Sequence, residues 1–354
     1  SLPTPEDVGK DENMMQAHRE MLKDLKNQLV ESQQRLKSYQ VATRYPFESQ
    51  PISEHLDQIE PFLPIQEDNP LRTSEGDAIA GRHLLTTQER VYVSGQESVL
   101  FTVALVDDNH QRLPLQVTRA VAHLVDASNG QSLISPIVVL FDDKGINGDV
   151  NANDQILTTR FKPFTQGFSD KQGTIRLELS LQSDTGAAKT FFDIIYMPVV
   201  PATWTNTVDE KIENGSLSFY LKANVLEAGR YLISARAYDA KGKAFALLTF
   251  NDEVAVGSQA FKLTLFGKLI HDLKPTFPIT LRDVEGYLLY EDHFPDRALM
   301  PRQLGVVHTS AQYTISAFAT NEWNSEERDR HLTEYSKDVT QTEASIKELE
   351  DSNN

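Results

Sequence analysis

The chain has 354 residues, more than one ordinary hydrophobic core organises and enough for two or three domains of usual size. Its 34 Lys and Arg against 51 Asp and Glu give a formal charge of −17, which repels nucleic acid and anionic lipid at long range and argues against nucleic-acid partners. Cysteine is absent, which excludes disulfides, thiolate metal sites and a cysteine nucleophile.

The opening SLPTPEDVGK carries no apolar signal region, and no apolar run approaches the roughly 20 residues that span a bilayer. The expectation is a soluble, already processed chain with no membrane span. From Glu12 to about Gln40, Met15, His18, Leu22, Leu25, Leu29, Ser32, Leu36 and Tyr39 follow one another at spacings of 3 and 4, the seam of a long amphipathic helix. Prolines 46, 51, 61, 64 and 70 then forbid a sustained helix or a central strand, so this stretch reads as an extended connector lying on another surface.

From about Ala80 to Tyr290 the pattern is β. RVYVSGQESVLFTVALVDD, AVAHLVDASNG, GTIRLELSLQSDTG and KTFFDIIYMPV are short apolar runs separated by Gly, Asn, Asp and Ser turns, as in a sandwich. A second set follows PVVPATW: LSFYLKANVLEAG, RYLISARAYDAKG, AFALLTFNDEV, FKLTLFGKLI and VEGYLLYED. Pro198 to Pro201 is the natural boundary between the sets, and Thr203 to Asn214, without apolar periodicity, reads as a protease-sensitive linker. From Ser325 a second helical seam runs through Leu332, Tyr335, Val339, Thr342, Ile346 and Leu349. Ser325 caps it, although Arg328 stands where a capping box would carry an acid or Gln. Both seams are expected to be buried, either against each other as an antiparallel pair or in grooves of the adjacent domains. Polar His18, Ser32 and Thr342 argue against an autonomous coiled coil and favour the folded body for the N-terminal helix. The expected segments are 1–79, helical and proline-rich; 80–200, a first sandwich; 201–320, a second; and 321–354, the closing helix.

Between two strand-like runs lies FDDKGINGDVNANDQIL, residues 141 to 157. Calcium takes six to eight oxygen ligands, and Asp or Asn at alternate positions supplies them from one loop. Asp142, Asp143, Asn147, Asp149, Asn151, Asn153 and Asp154 are the candidate ligands for calcium or another hard cation. A helix-loop-helix calcium hand does not fit: counted from Asp149, Asp154 stands where Gly makes the sharp turn and Arg160 where a bidentate acid closes the shell. The alternative is that the same Asp and Asn side chains cap tight turns and tolerate left-handed backbone without an ion.

Other chemistry is thinner. YEDHFPDR gathers Glu291, Asp292, His293 and Asp296, and SEHLD gathers Glu54, His55 and Asp57, but each has a single His and reads better as a solvated loop. Trp204, Trp323, Tyr220, Tyr231, Tyr238, Tyr287 and Tyr290 form either a sugar-stacking platform or, the favoured reading, core and strand-face packing. No nucleophile elbow, phosphate-binding loop or dinucleotide fingerprint is present, and no catalytic residue is assigned.

DDKGINGDVNANDQILTTRFKP resembles the Asp-Asp-Gly, Gly-Asp, Ala-x-Asp-Gly, Tyr-Thr signature of immunoglobulin-like domains in bacterial exported proteins. Asp142, Asp143, Gly145, Gly148, Asp149, Ala152, Asp154 and Thr158 match it; Lys144 is an insertion, and Gln155 and Leu157 replace Gly and Tyr. With RYPFESQP, FALLTFNDE, LFGKLIHD, FPITLRDVEGYLL, PDRALMPR and SEERDRHLTEYSKDV, the chain resembles, over nearly its whole length, the uncharacterised gammaproteobacterial choice-of-anchor X type, found in exported proteins including those of Legionella. The resemblance implies export, periplasmic or extracellular, and a mainly β fold with helical ends containing two immunoglobulin-like sandwiches. It carries no catalytic residues. The expected function is a noncatalytic binding or scaffold protein with a protein or glycan ligand. The rival is a secreted hydrolase with its site in the cleft between the sandwiches. Oligomeric state is left open.

Overall fold

A computed structural model of the chain describes residues 1–125 and 136–352. The last residues of the AVAHLVDASNG run, 126–130, lie outside them. The fold is mainly β with a helix at each end. Helix α1 (Pro5–Ala42) begins at Thr4, whose hydroxyl accepts from the Asp7 N–H while the Asp7 carboxylate accepts from the Thr4 N–H, a reciprocal cap. Strands β1 (Ser49–Pro51) and β2 (Ile65–Arg72) both come from the proline-rich stretch. The connector therefore supplies two strands, each at a sheet edge, where proline's missing N–H costs no ladder bond.

Strands β3 (Ala78–Gln88), β4 (Tyr92–Ser94), β5 (Val99–Val106), β6 (Arg112–Leu113), β7 (Gln116–Leu124), β8 (Ile137–Val138), β9 (Leu157–Phe161), β10 (Gly173–Ser183) and β11 (Gly186–Met197) complete the first sandwich. One sheet runs β2-β3-β5-β6 with β9 beside β5, and the facing sheet runs β4-β11-β10-β7-β8. Ile175, Leu177, Leu179 and Leu181 alternate inward along β10 and meet Phe101, Val103, Leu105 and Phe161 of the other sheet in one buried core.

The second sandwich is built from β12 (Ala202–Glu213), β13 (Ser216–Val225), β14 (Gly229–Tyr238), β15 (Ala244–Val254), β16 (Gly257–Leu265), β17 (Thr280–Leu289), β18 (Arg297–Leu299) and β19 (Gln303–Thr309). Its sheets are β12-β13-β16 and β1-β15-β14-β17-β18, with β19 also on β17. Leu217, Phe219 and Leu221 pack against Tyr231, Ile233 and Leu281 across its core. Two readings are corrected. Thr203 to Asn214 is not a linker: nearly all of it is the edge strand β12, whose outward residues are polar and mask the strand. FKLTLFGKLI is not one strand either, since the chain turns at Phe266 into helix α2 (Gly267–Leu273).

The expected boundary at residue 79 falls inside β3, and β1 joins the second sandwich before β2 enters the first. Residues between them hold the second sandwich through Arg236, a fully buried side chain that donates to the Gln58 carbonyl at 2.6 Å and the Asp283 carbonyl at 2.7 Å. The closing helix α3 (Glu326–Asp351) is capped by Ser325, whose hydroxyl accepts from the Arg328 N–H at 3.0 Å.

Of the two expected placements of the terminal seams, the favoured one, α1 on the folded body, is corrected, and the other is found: α1 pairs antiparallel with α3. Arg328 donates to Thr43 at 3.1 Å, Tyr39 packs on His331 and Tyr335 with centroids 5.4 and 5.3 Å apart, and Lys26 approaches Glu350 at 3.8 Å. Aromatic contacts at the base supply the cohesion that the polar layer around Ser32 and Thr342 lacks. The part of α1 before about Asp24 extends past the end of α3 with Met14, Met15 and Met21 exposed. No described helix is long and apolar enough to cross a membrane.

Candidate metal centre

The acidic loop leaves the first sandwich after β8 and returns through β9. It is anchored where Asp142 and Thr158 exchange backbone hydrogen bonds of 3.0 and 2.9 Å, closing residues 143 to 157 into one compact excursion. Within it Gly145 (φ +73°), Asn147 (+52°), Gly148 (+90°), Asn153 (+62°) and Gln155 (+64°) all take left-handed backbone, which Gly and Asn adopt most readily. A Cβ at Gly148 would lie 2.4 Å from Leu100 Cδ1, so glycine is required there for close approach as well as for φ.

This winding brings the carboxylates of Asp143, Asp149 and Asp154 together, with one oxygen from each within 4.8 Å of the others. Asp149 is buried at 7% exposure, although the chemistry of a carboxylate favours solvent. Its Oδ2 accepts from the Gly145 N–H at 2.8 Å. Asp143 accepts from the N–H groups of Asp154 at 3.3 Å and Gln155 at 2.8 Å, and Asp154 from that of Ile156 at 3.0 Å. Desolvation would raise the Asp143 carboxyl, but the donors from Gln155 and Asp154 outweigh it and hold the group below its ordinary value.

Among the described residues, no Lys, Arg or His nitrogen lies within 4.0 Å of these three carboxylates. Arg112 reaches only the Asp154 carbonyl, at 3.4 Å, and Arg160, which stands at the closing position of the calcium-hand count, donates to Ser98 at 3.1 Å. Asp149 Oδ1 and Asp154 Oδ2 accept no hydrogen bond from the described residues. An all-oxygen, like-charged set of this kind suits a hard cation such as calcium, with backbone carbonyls, amides or water completing the shell.

Of the seven candidate ligands, the structure thus gathers three. Asp142 is spent differently: its carboxylate accepts from the Lys144 N–H at 3.2 Å and its backbone forms the bridge to Thr158. Asn147, Asn151 and Asn153 are exposed, and two of them serve the left-handed turns. Converging carboxylates and turn-forming residues therefore alternate in the same loop.

The other candidate clusters do not assemble. His293 faces the Pro295 carbonyl at 3.3 Å, Asp296 pairs with Arg297 at 2.9 Å, and Glu54 pairs with Arg44 at 2.7 Å. Most of the aromatic set is committed elsewhere: Tyr231 is core, Tyr238 lies under Arg282, Tyr287 lies under Arg297, and Tyr290 donates to Glu227 at 2.8 Å. A cleft of about 280 Å³ does lie between the sandwiches, but its acids are engaged, Glu89 by Arg90 at 3.0 Å and Glu285 by Arg236 at 3.1 Å.

Two polar groupings had no sequence signal. His83 bridges Asp68 at 3.0 Å and Asp108 at 2.7 Å, which raises its pKa above 6.5, and Glu210 accepts from Tyr313 at 2.8 Å while also facing His308 at 2.8 Å. Each joins residues from separate strands and loops, so only the fold brings them together.

No family model matches the chain, and no curated protein matches it. Among solved structures, a DUF4785 family protein from Legionella pneumophila is similar with a TM-score of 0.41, at 13% identity over 66% of this chain and 57% of that one. Dimeric latent PorU from Porphyromonas gingivalis gives a TM-score of 0.19, at 12% identity over 70% of this chain and 20% of its own. Apo β-glucuronidase 3 from Bacteroides uniformis gives 0.16, at 7% identity over 62% and 24%. The chain spans a little over half the length of the Legionella protein, and likenesses this distant transfer no activity.

Proposed function

We propose that the chain is an exported binding or scaffold protein, noncatalytic and of the choice-of-anchor X type that its motifs resemble, whose first sandwich takes up calcium or a similar hard cation in the acidic loop. The supporting observation is the convergence of Asp143, Asp149 and Asp154 within 4.8 Å, with no basic nitrogen in ion-pair range among the described residues. At that separation, each pair of ionised carboxylates repels by roughly 3 kcal/mol at an effective dielectric of about 20. The loop relieves this repulsion either by keeping a proton or by binding a cation.

The cation organises the loop rather than performing chemistry. Asp143, Asp149 and Asp154 would hold it, and it would supply the positive charge that cancels their repulsion. The loop and its neighbours would then present a fixed surface to a protein or glycan ligand. Isothermal titration of chelator-stripped protein tests the reading: calcium should give a saturable one-site isotherm that Asp154→Asn weakens by at least tenfold. Absence of binding heat, together with no calcium retained in equilibrium dialysis, would leave the loop as a set of capped turns.

A further inference from the structure

We propose that the concavity at the foot of the helix pair, walled by Trp323, is a binding site for a sugar ring of a neutral oligosaccharide. The chain has two tryptophans, and the fold treats them differently. Trp204 packs on the second core, its ring edge-on to Phe261 at 5.7 Å and its indole N–H donating to the Pro301 carbonyl at 2.8 Å. Trp323 is half-buried, belongs to neither core, and its indole N–H has no partner among the described residues. It lines a cavity of about 250 Å³ between the second sandwich and the start of α3.

The floor of this cavity is rigid. The Ala319 N–H donates to the Gly215 carbonyl at 2.9 Å, and the Gly267 N–H donates to the Ser216 hydroxyl at 3.0 Å. A Cβ at Gly215 would lie 2.3 Å from that of Ala319, and one at Gly267 would lie 2.3 Å from the Gly215 carbonyl oxygen. Three chain segments therefore meet backbone to backbone at the floor of the cavity. Preorganisation of this kind lowers the ordering cost of binding.

The rim carries unspent polar groups. Asn214, Asn321 and Asn324, together with Glu322, line the cavity, and none of their side chains makes a hydrogen bond with the described residues. Lys268, also on the rim, reaches only Asp272 at 3.4 Å. Three primary amides offer paired donors and acceptors, which match vicinal hydroxyls, while the indole face matches the apolar C–H face of a pyranose. An apolar peptide side chain would cover the indole but leave the amides unmatched, and a nucleic acid would meet a chain of charge −17. The volume lies below the roughly 300–1,000 Å³ of drug-sized pockets, which suits one ring with the rest of a chain leaving over the rim.

The site is separate from the acidic loop, which belongs to the other sandwich, so the titration is run in excess chelator and its outcome does not depend on calcium. Tryptophan fluorescence and saturation-transfer NMR would be recorded with chitotriose, cellotriose, maltotriose and N-acetyllactosamine. At least one probe should give a saturable change with Kd on the order of 1 mM, a shallow single-ring affinity. Trp323→Ala should weaken it at least tenfold and Asn321→Ala several-fold, both with unchanged circular dichroism. No saturable signal by either method up to about 10 mM, or undiminished NMR binding in Trp323→Ala and Asn321→Ala, would overturn the proposal.

Discussion

At the junction of the two sandwiches, Glu97 is met by two guanidinium groups: Arg90 at 2.9 Å, and Arg302 of the other sandwich, which also donates to the Tyr92 carbonyl at 2.9 Å. Nearby, Arg297 is stacked between Tyr92 and Tyr287, 4.4 and 4.5 Å from the ring centroids. In the acidic loop, by contrast, three carboxylates meet one another and, among the described residues, no cationic side chain pairs with them. The junction is electrostatically complete within the chain. On the proposed reading the loop is completed by an ion from outside, and the difference would separate a structural weld from a binding site where both are rich in charged side chains.

The largest expected effect lies at the weld. Arg302→Ala removes one of the two guanidinium partners of Glu97 and a cross-sandwich hydrogen bond, and with Arg90 still paired to Glu97 should cost about 1.5–3 kcal/mol. Differential scanning calorimetry should then resolve two transitions where the native protein gives one. A variant with a single unshifted transition would show that the weld contributes little to the coupling of the sandwiches. A smaller effect belongs to the helix pair: Ser32 is 9% exposed, next to Thr342 in a polar layer. Ser32→Leu should stabilise the pair by about 1 kcal/mol through added apolar burial. Slower hydrogen exchange at Leu29 and Leu36 would report it, with Met14 and Met15 exchanging fast in both proteins.

The smallest expected effect is a pH dependence in the first sandwich. The side-chain hydrogen bond to Asp108 is the main cause raising His83, opposed by partial desolvation and reinforced by Asp68. Asp107 and the Arg82–Asp184 pair are the other charged groups beside it. A raised histidine contributes stability that is fully present below its unfolded value of 6.5 and is lost as pH rises through the higher folded value. His83→Gln should flatten the stability profile across that window. A profile of unchanged slope in urea titrations would assign the dependence to other groups.

Much of this architecture is visible in the chain itself. The two 3-4 seams, the apolar runs and their turn residues correspond to local physics, so the helices and most strands follow from periodicity. The misread segments were those where tertiary context supplies the missing half of a pattern. Edge strands β2 and β12 have polar outer faces, and Pro70 is harmless only because its strand has one neighbour. The pairing of α1 with α3 rests on Tyr39, His331 and Tyr335, residues nearly 300 positions apart. In the candidate site, seven ligands were nominated from composition, but which carboxylates converge depends on the left-handed residues that fold Asp143 back onto Asp149 and Asp154. Trp323 and Trp204 look alike in the chain, and only the fold distinguishes them: Trp204 packs on the second core, while Trp323 lines a cavity.

The contrast between a finished and an unfinished charge cluster is tested most directly by thermal melting in excess chelator and in calcium, for the native protein and Asp149→Ala. If the loop is completed by calcium, a hundredfold excess over Kd should stabilise the native protein by about 2.7 kcal/mol. In the single transition of the native protein that is a rise of a few degrees, since the shift per kcal/mol falls as the cooperative unit grows. Asp149→Ala should melt at one temperature in both solutions. Identical melting of the native protein with and without calcium would contradict the account.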